Sequence, residues 1–395
     1  MLRRSSAVRL LSTVSRFTAC DAGTSLPDGT RWGPFDYTSV KVEDPYGLLV
    51  SNSLETLASG FRWSEGPVWC QTRRKLFFSD TVLDSIFSWQ PGKEGATLVA
   101  RYSGGFDPIR ALPAEIKAYN YSFEPGSNGM SMFGDDSLVI CQHFARQVIR
   151  VDIGAIESLK GSPLSNLPIG SFDVLAKETP TGRPFNSPND VIVADGSTVY
   201  FTDPIYGFLQ KTNPEDSTPK GVSCGLLLDQ PYLDDLCLSE GAGVKGVYKW
   251  STEGARSSLS CVTTALHRPN GLALSRDGSH LWVANSVAKG PSWSAFALKS
   301  RLAGTGETFV TSVVDELALK DDLIFGPGLS DGFKIDQNGN IWSTVPGGFA
   351  VIDPKGMIVL AKIFMGTNTS NLQFGDDGDV FITGLGHLWR IQRQV

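Results

Sequence analysis

The sequence predicts an all-β protein, a six-bladed β-propeller whose last blade is closed by an N-terminal strand, and three observations carry that prediction. A short pattern (a polar acceptor residue, a small or turn-forming residue, then an alternating strand) recurs six times along 395 residues. Each of the later copies is followed by a tight turn, most often Asp-Gly or Asn-Gly, and a second strand, which is the strongest short-range signal for a hairpin. The chain then stops after three strands of the sixth unit, leaving an edge that a closed ring must cover from elsewhere.

The copies open at Ser64-Glu65-Gly66-Pro67, Ser127-Asn128-Gly129-Met130, Pro188-Asn189-Asp190-Val191, Pro269-Asn270-Gly271-Leu272, Ser330-Asp331-Gly332-Phe333 and Ser370-Asn371-Leu372-Gln373. Turns follow at Asp135-Asp136-Ser137, Asp195-Gly196-Ser197, Asp277-Gly278-Ser279, Asn338-Gly339-Asn340 and Asp377-Gly378-Asp379. Third strands are visible as SIFSW, QVIRVD, GVYKWS, GFAVID and HLWRIQ, and fourth strands as ATLVARY, FDVLAKE and MIVLAKIF. Four short strands per unit without intervening amphipathic helices is the signature of a propeller. Leu54-Glu55-Thr56-Leu57-Ala58 sits where a fourth strand precedes every other copy, so it is expected to supply the outer strand of the last blade. The propeller then spans 51–395, with an extension over 26–50 lying outside the ring.

Residues 1–25 read as an organelle transit peptide. The first twenty contain Arg3, Arg4, Arg9 and Arg16, several serines and no acidic residue before Asp21, and they lack the continuous apolar core of a secretory signal. A mitochondrial destination is expected, with plastid or cytoplasm as alternatives; a disordered tail is the bland reading of the same composition.

Bulk composition removes several function classes. Hydrophobic residues make up 41% and charged residues 19%, and no stretch is apolar for the length of a membrane-spanning helix, so no membrane role is expected. The formal net charge is -6, and no basic cluster lies beyond the first residues, which argues against nucleic acid as a partner. The six cysteines form no CxxC pair and have no histidine at zinc-finger spacing. Cys224 and Cys237 could be bridged, but unpaired thiols in a reducing compartment are the favoured reading. A monomer acting on a small molecule is expected.

In a propeller the first strand of each blade lines the channel, so Glu65, Asn128, Asn189, Asn270, Asp331 and Asn371 should converge at one end of it. All are oxygen donors, which suits calcium or magnesium better than zinc or copper, and the mixture of carboxylate and amide oxygens favours calcium, with Mg2+ and Zn2+ as alternatives. Any one of these residues could merely cap a turn through its own backbone; six at equivalent positions favour a ligand site. Second strands return toward the same end. That places Asp80, His143, Asp203-Pro204-Ile205-Tyr206, Asn285, Pro346 and His387 around the mouth, with Asn128, His143, Asn189, Asp203, Tyr206 and His387 as substrate-contact candidates. His143 and His387 could be acid–base groups or hydrogen-bonded rim residues, whereas His267 and His280 read as structural. The added length from Lys211 to Gly246 falls in the same type of loop and reads equally as a lid or a surface excursion.

These motifs resemble the gluconolactonase, regucalcin and senescence-marker-protein family. The matching stretches are SEGPVW, PGSNGM with CQH, NSPNDVIV with YFTDPIYGF, RPNGLALSRDGSHLWVAN, LSDGFKIDQNGNIWS and NLQFG with FITG, and FTDPIYG is similar to the microbial gluconolactonase branch. The resemblance implies a metal bound by Glu65, Asn270 and Asp331, with Asn189 as a further ligand or a substrate contact, and Asp331 as proton donor and acceptor. It also implies hydrolysis of a lactone, with the ion polarising the carbonyl toward water and Asn189 and Asn128 bonding the oxyanion. Ser187 stands where the animal branch has an arginine that contacts substrate, so sugar-lactone specificity does not follow. Two alternatives share the same expected site: a phosphotriesterase of the diisopropylfluorophosphatase kind, and a non-catalytic calcium-binding propeller.

Overall fold

A computed structural model describes residues 35–105, 124–207, 245–286, 292–298, 310–318, 330–356 and 358–395. The expected transit peptide and nearly all of the 211–246 insertion lie outside the described residues, as do Cys20, Cys224 and Cys237. Cys70, Cys141 and Cys261 are free thiols.

Strands β1 (Lys41–Glu43) and β2 (Glu55–Ser59) precede the first repeat. Blade one is β3 (Ser64–Cys70), β4 (Lys75–Asp80), β5 (Ser85–Trp89) and β6 (Thr97–Arg101). Blade two is β7 (Ser127–Phe133), β8 (Ser137–Gln142), β9 (Gln147–Asp152) and β10 (Phe172–Ala176), with the short helix α1 (Ile153–Ser158) between its last two strands. Blade three is β11 (Val191–Asp195), β12 (Thr198–Asp203), β13 (Gly246–Glu253) and β14 (Arg256–Thr263). Blade four is β15 (Pro269–Leu274), β16 (His280–Asn285), β17 (Ser292–Leu298) and β18 (Val310–Ala318). Blade five is β19 (Phe333–Ile335), β20 (Ile341–Val345), β21 (Gly348–Asp353) and β22 (Ile358–Phe364); blade six is β23 (Thr369–Phe374), β24 (Asp379–Gly384) and β25 (His387–Gln392).

Each blade is an antiparallel meander running from the channel outward. The turns are those the sequence predicts: at Asp277-Gly278, one aspartate oxygen accepts from the backbone N–H of Ser279 at 3.1 Å and from its hydroxyl at 2.7 Å, while Gly278 takes a positive φ of 68°. Inner strands β3, β7, β11, β15, β19 and β23 each contact the next, and β23 returns to β3, so the ring is closed. An apolar cluster fills every junction between neighbouring blades, with Trp293, Trp342 and Trp389 among the largest fully buried side chains. Burial of each such ring contributes on the order of 2–3 kcal/mol.

The expected closure is present. Strand β2 pairs with β25, setting Ser59 against His387 and Glu55 against Arg390, and completes blade six as its fourth strand. Residues 35–50, expected outside the ring, are bound to its outer edge. Strand β1 pairs with β22 as a fifth strand of blade five, the Val50 N–H donates to the Gln392 carbonyl at 2.8 Å, and Phe35 packs edge-on against Trp389. Leu49 is buried in the same cluster as Trp342 and Trp389, and burial of this leucine keeps the strap in place.

Candidate active site

The residues that open the inner strands meet at one end of the channel. The Asn128 and Asn189 carboxamides are in hydrogen-bond contact at 2.7 Å, and those of Asn189 and Asn270 at 2.6 Å. Asn270 in turn bonds the Asp331 carboxylate, and across the ring the Asn371 amide reaches Glu65 Oε2 at 3.5 Å. All are buried except Asp331, which is partly exposed. The six aligned acceptors therefore form two hydrogen-bonded groups at one end of the channel, each with one carboxylate, and the charge of Glu65 acts on Asp331 across them.

Glycine follows the acceptor in four copies for a steric reason, joined at Gly66 by a positive φ of 51°. A Cβ on Gly66 would sit 2.1 Å from the Asn128 carbonyl oxygen, one on Gly271 2.5 Å from that of Asp331, and one on Gly332 2.0 Å from Asn371 Cγ. Inner strands approach this closely where the ring narrows, and only glycine admits the approach. Hydroxyls near the ends of the second strands hold the strand entries: Ser79 donates to the Asn128 carbonyl at 2.9 Å, Thr202 to that of Asn270 at 2.9 Å, and Thr383 to that of Asn371 at 3.2 Å. Thr344 accepts from the Asp331 N–H at 3.0 Å.

Electrostatics at this end are dominated by negative charge out of water. Burial raises Glu65 to about 8, with Asp190 adding to the shift. Burial and then the charges of Glu65, Glu124 and Asp190 push Asp331 well above the ordinary carboxylate range. Sequence reasoning passed over three charged groups here, Glu124, Asp190 and Lys334. Asp190 occupies the position where four other copies have glycine; it is buried, and its Oδ2 has no hydrogen-bond partner among the described residues. Lys334, whose ammonium donates to Asn371 Oδ1 at 3.2 Å, partly offsets the charges of Asp190 and Glu65.

The remaining candidates divide by what they touch. Tyr206 presents a buried hydroxyl beside Asp331, Asn270 and Ser286. His143 is fully buried, with Nδ1 2.9 Å from the Glu124 carbonyl and Nε2 3.3 Å from Asn189 Oδ1, and burial lowers its pKa to about 4. It sits behind Asn189, out of reach of a ligand. Asp203, placed at the mouth by sequence, is buried with both oxygens on backbone amides, accepting from Asn186 at 2.8 Å and Ser187 at 2.9 Å. It secures the segment leading to Asn189, as Asp80 secures Arg62 (2.7 Å) and Asn285 secures Arg268 (3.0 Å). The His387 ring stacks on Trp389 and meets Phe35 edge-on, in the closure of blade six rather than in the cluster. Its carbonyl accepts from the Ser64 hydroxyl at 2.9 Å, so it supports the residue before Glu65.

A Gly-x-Ser-x-Gly sequence, Gly221-Val222-Ser223-Cys224-Gly225, has the spacing of a serine nucleophile elbow and lies outside the described residues. That elbow works on a strand-to-helix turn of an α/β sheet, and no such sheet is formed by the described residues.

Fold and cluster together define a six-bladed β-propeller with a polar, carboxylate-bearing centre at one end of its channel. The chain belongs to the SMP-30/gluconolactonase/LRE-like family, whose characteristic region matches residues 63–385. A gluconolactonase of Zymomonas mobilis is 30% identical over 341 residues, spanning 86% of this chain and 81% of that protein. Among solved structures, a gluconolactonase from Xanthomonas campestris superposes with a TM-score of 0.62 at 24% identity, covering 91% of this chain and 97% of the other. A putative gluconolactonase superposes with a TM-score of 0.60 at 23% identity, covering 90% and 98%. At these identities the superpositions establish the fold.

Proposed function

We propose that the chain hydrolyses lactones at the Glu65–Asp331 cluster, with a divalent cation as its resident metal. The carrying observation is chemical: the buried Glu65 and the partly exposed Asp331, both costly to ionise and Asp331 partly because of Glu65, stand in a ring of carboxamides, with no thiol or imidazole facing them among the described residues. A hard cation relieves that repulsion, and Glu65, Asp331 and the oxygens of Asn189 and Asn270 are the residues that would hold it. Family membership and the Zymomonas relative support the lactone as substrate.

When bound, such a cation supplies Lewis acidity toward the carbonyl and lowers the pKa of water. The chain's own residues do the rest. Water adds to the lactone carbonyl carbon as Asp331 takes its proton. The ring C–O bond then breaks, and the same proton passes to the departing alkoxide, leaving a hydroxy acid. Asn128 offers an N–H group near the developing oxyanion, such a donor contributing about 3 kcal/mol. Tyr206, whose hydroxyl lies beside Asp331, binds a substrate oxygen. The acid-poor, arginine-bearing first twenty residues support import into mitochondria.

The substrate class is tested with purified full-length protein supplied with calcium, magnesium or zinc, titrating acid release from aliphatic lactones, sugar lactones and a phosphotriester. Turnover of lactones well above that of the phosphotriester is expected. Preference for the phosphotriester would move the chain to that chemistry on the same site.

A further inference from the structure

We infer that His143 is a positioning residue that sets the direction of the Asn128–Asn189–Asn270 carboxamide chain, so that oxygen rather than N–H faces Asp331. The argument is one of donors and acceptors. A backbone carbonyl can only accept, so His143 Nδ1, 2.9 Å from the Glu124 oxygen, carries the ring proton. The ring is fully buried and its contacts are a backbone carbonyl and a carboxamide, with no carboxylate among the described residues to hold a second proton on it, so Nε2 is a bare acceptor. It stands 3.3 Å from Asn189, where a carboxamide oxygen would repel it and an NH2 group would bond it.

Carboxamide oxygen and nitrogen are isosteric, so the same heavy-atom positions accept the chain in reverse. Turned over, the Asn189 NH2 has a partner for each hydrogen: His143 Nε2 at 3.3 Å and Asn128 Oδ1 in the contact of 2.7 Å. Asn189 Oδ1 then accepts from Asn270 in the contact of 2.6 Å, and the Asn270 oxygen is left toward Asp331. Two acceptors facing each other at the carboxylate end make a gap suited to a cation. His143 is itself held in place: a Cβ on Gly207 would lie 2.9 Å from His143 Cβ and 2.8 Å from Ser187 Cβ, so the backbone after Tyr206 clamps the imidazole.

The consequence for metal binding rests on the proposed cation site; the tautomer does not, and the test separates them. Long-range proton–nitrogen correlation spectra of the full chain, 15N-labelled at its four histidines and free of added metal, report which ring nitrogen of His143 is protonated, with His143→Gln assigning the signal. A neutral ring protonated at Nδ1 is expected; protonation at Nε2, alone or together with Nδ1, overturns the inference. Calorimetric titration with calcium then compares variants of matched thermal stability. His143→Phe, which offers no acceptor, is expected to weaken binding about 10–100-fold, while His143→Gln, which restores one, stays within ~3-fold of wild type. Unchanged affinity in His143→Phe overturns the positioning role. Should wild type bind no divalent cation, the metal part of the proposed function fails while the tautomer still decides this one.

Discussion

Asp331→Asn is expected to cost lactone turnover about 10²–10⁴-fold, the range of a positioned acid–base group, without loss of folded protein. The substitution keeps the shape and the backbone bond from the Asp331 N–H to Thr344 Oγ1. It removes a carboxylate whose ionised form is disfavoured by burial and by Glu65, Glu124 and Asp190. A group whose pKa is raised by folding destabilises the fold at pH values above its unfolded pKa, so its neutral replacement leaves stability at neutral pH equal to or above wild type. Initial rates under saturating lactone, paired with thermal unfolding at the same pH, check both halves. Full turnover in the variant would reduce Asp331 to a turn cap.

Glu65→Gln carries the second large effect. Glu65 accepts from the Gly66 N–H at 3.0 Å and from Asn371 at 3.5 Å, and a glutamine oxygen can keep both bonds while removing one of the two charges proposed to neutralise a divalent cation. Cation affinity measured by calorimetry is therefore expected to fall about 100-fold, and lactone turnover to fall with it at limiting metal and recover partly at high metal. Affinity equal to wild type would take Glu65 out of the ligand set.

Much of the fold was legible because its signals are local. Asp277-Gly278 and Asn338-Gly339 announce hairpins on their own. The missing last strand pointed back to residues 54–58 by ring closure alone. Strand β1 was not legible: Lys41-Val42-Glu43 is short and exposed, with Val42 at 51%, and its pairing depends on where Phe35 and Leu49 pack. The acceptors at the channel end were legible from their repeat position. What each mouth residue does was not, because sequence shows a carboxylate at Asp203 but not that two backbone amides consume it. The departure of Asn189-Asp190 from the Asn-Gly of its sister repeats was the available signal for a charge inside the channel, and it stood in plain sequence.

The most direct test of the account is acid release from a lactone by the full chain, measured first after exhaustive chelation and then after adding back calcium, magnesium or zinc. Turnover that disappears on chelation and returns with at least one of these ions is the predicted result. Undiminished hydrolysis by the chelated protein, or none with any of the three ions supplied, would contradict it.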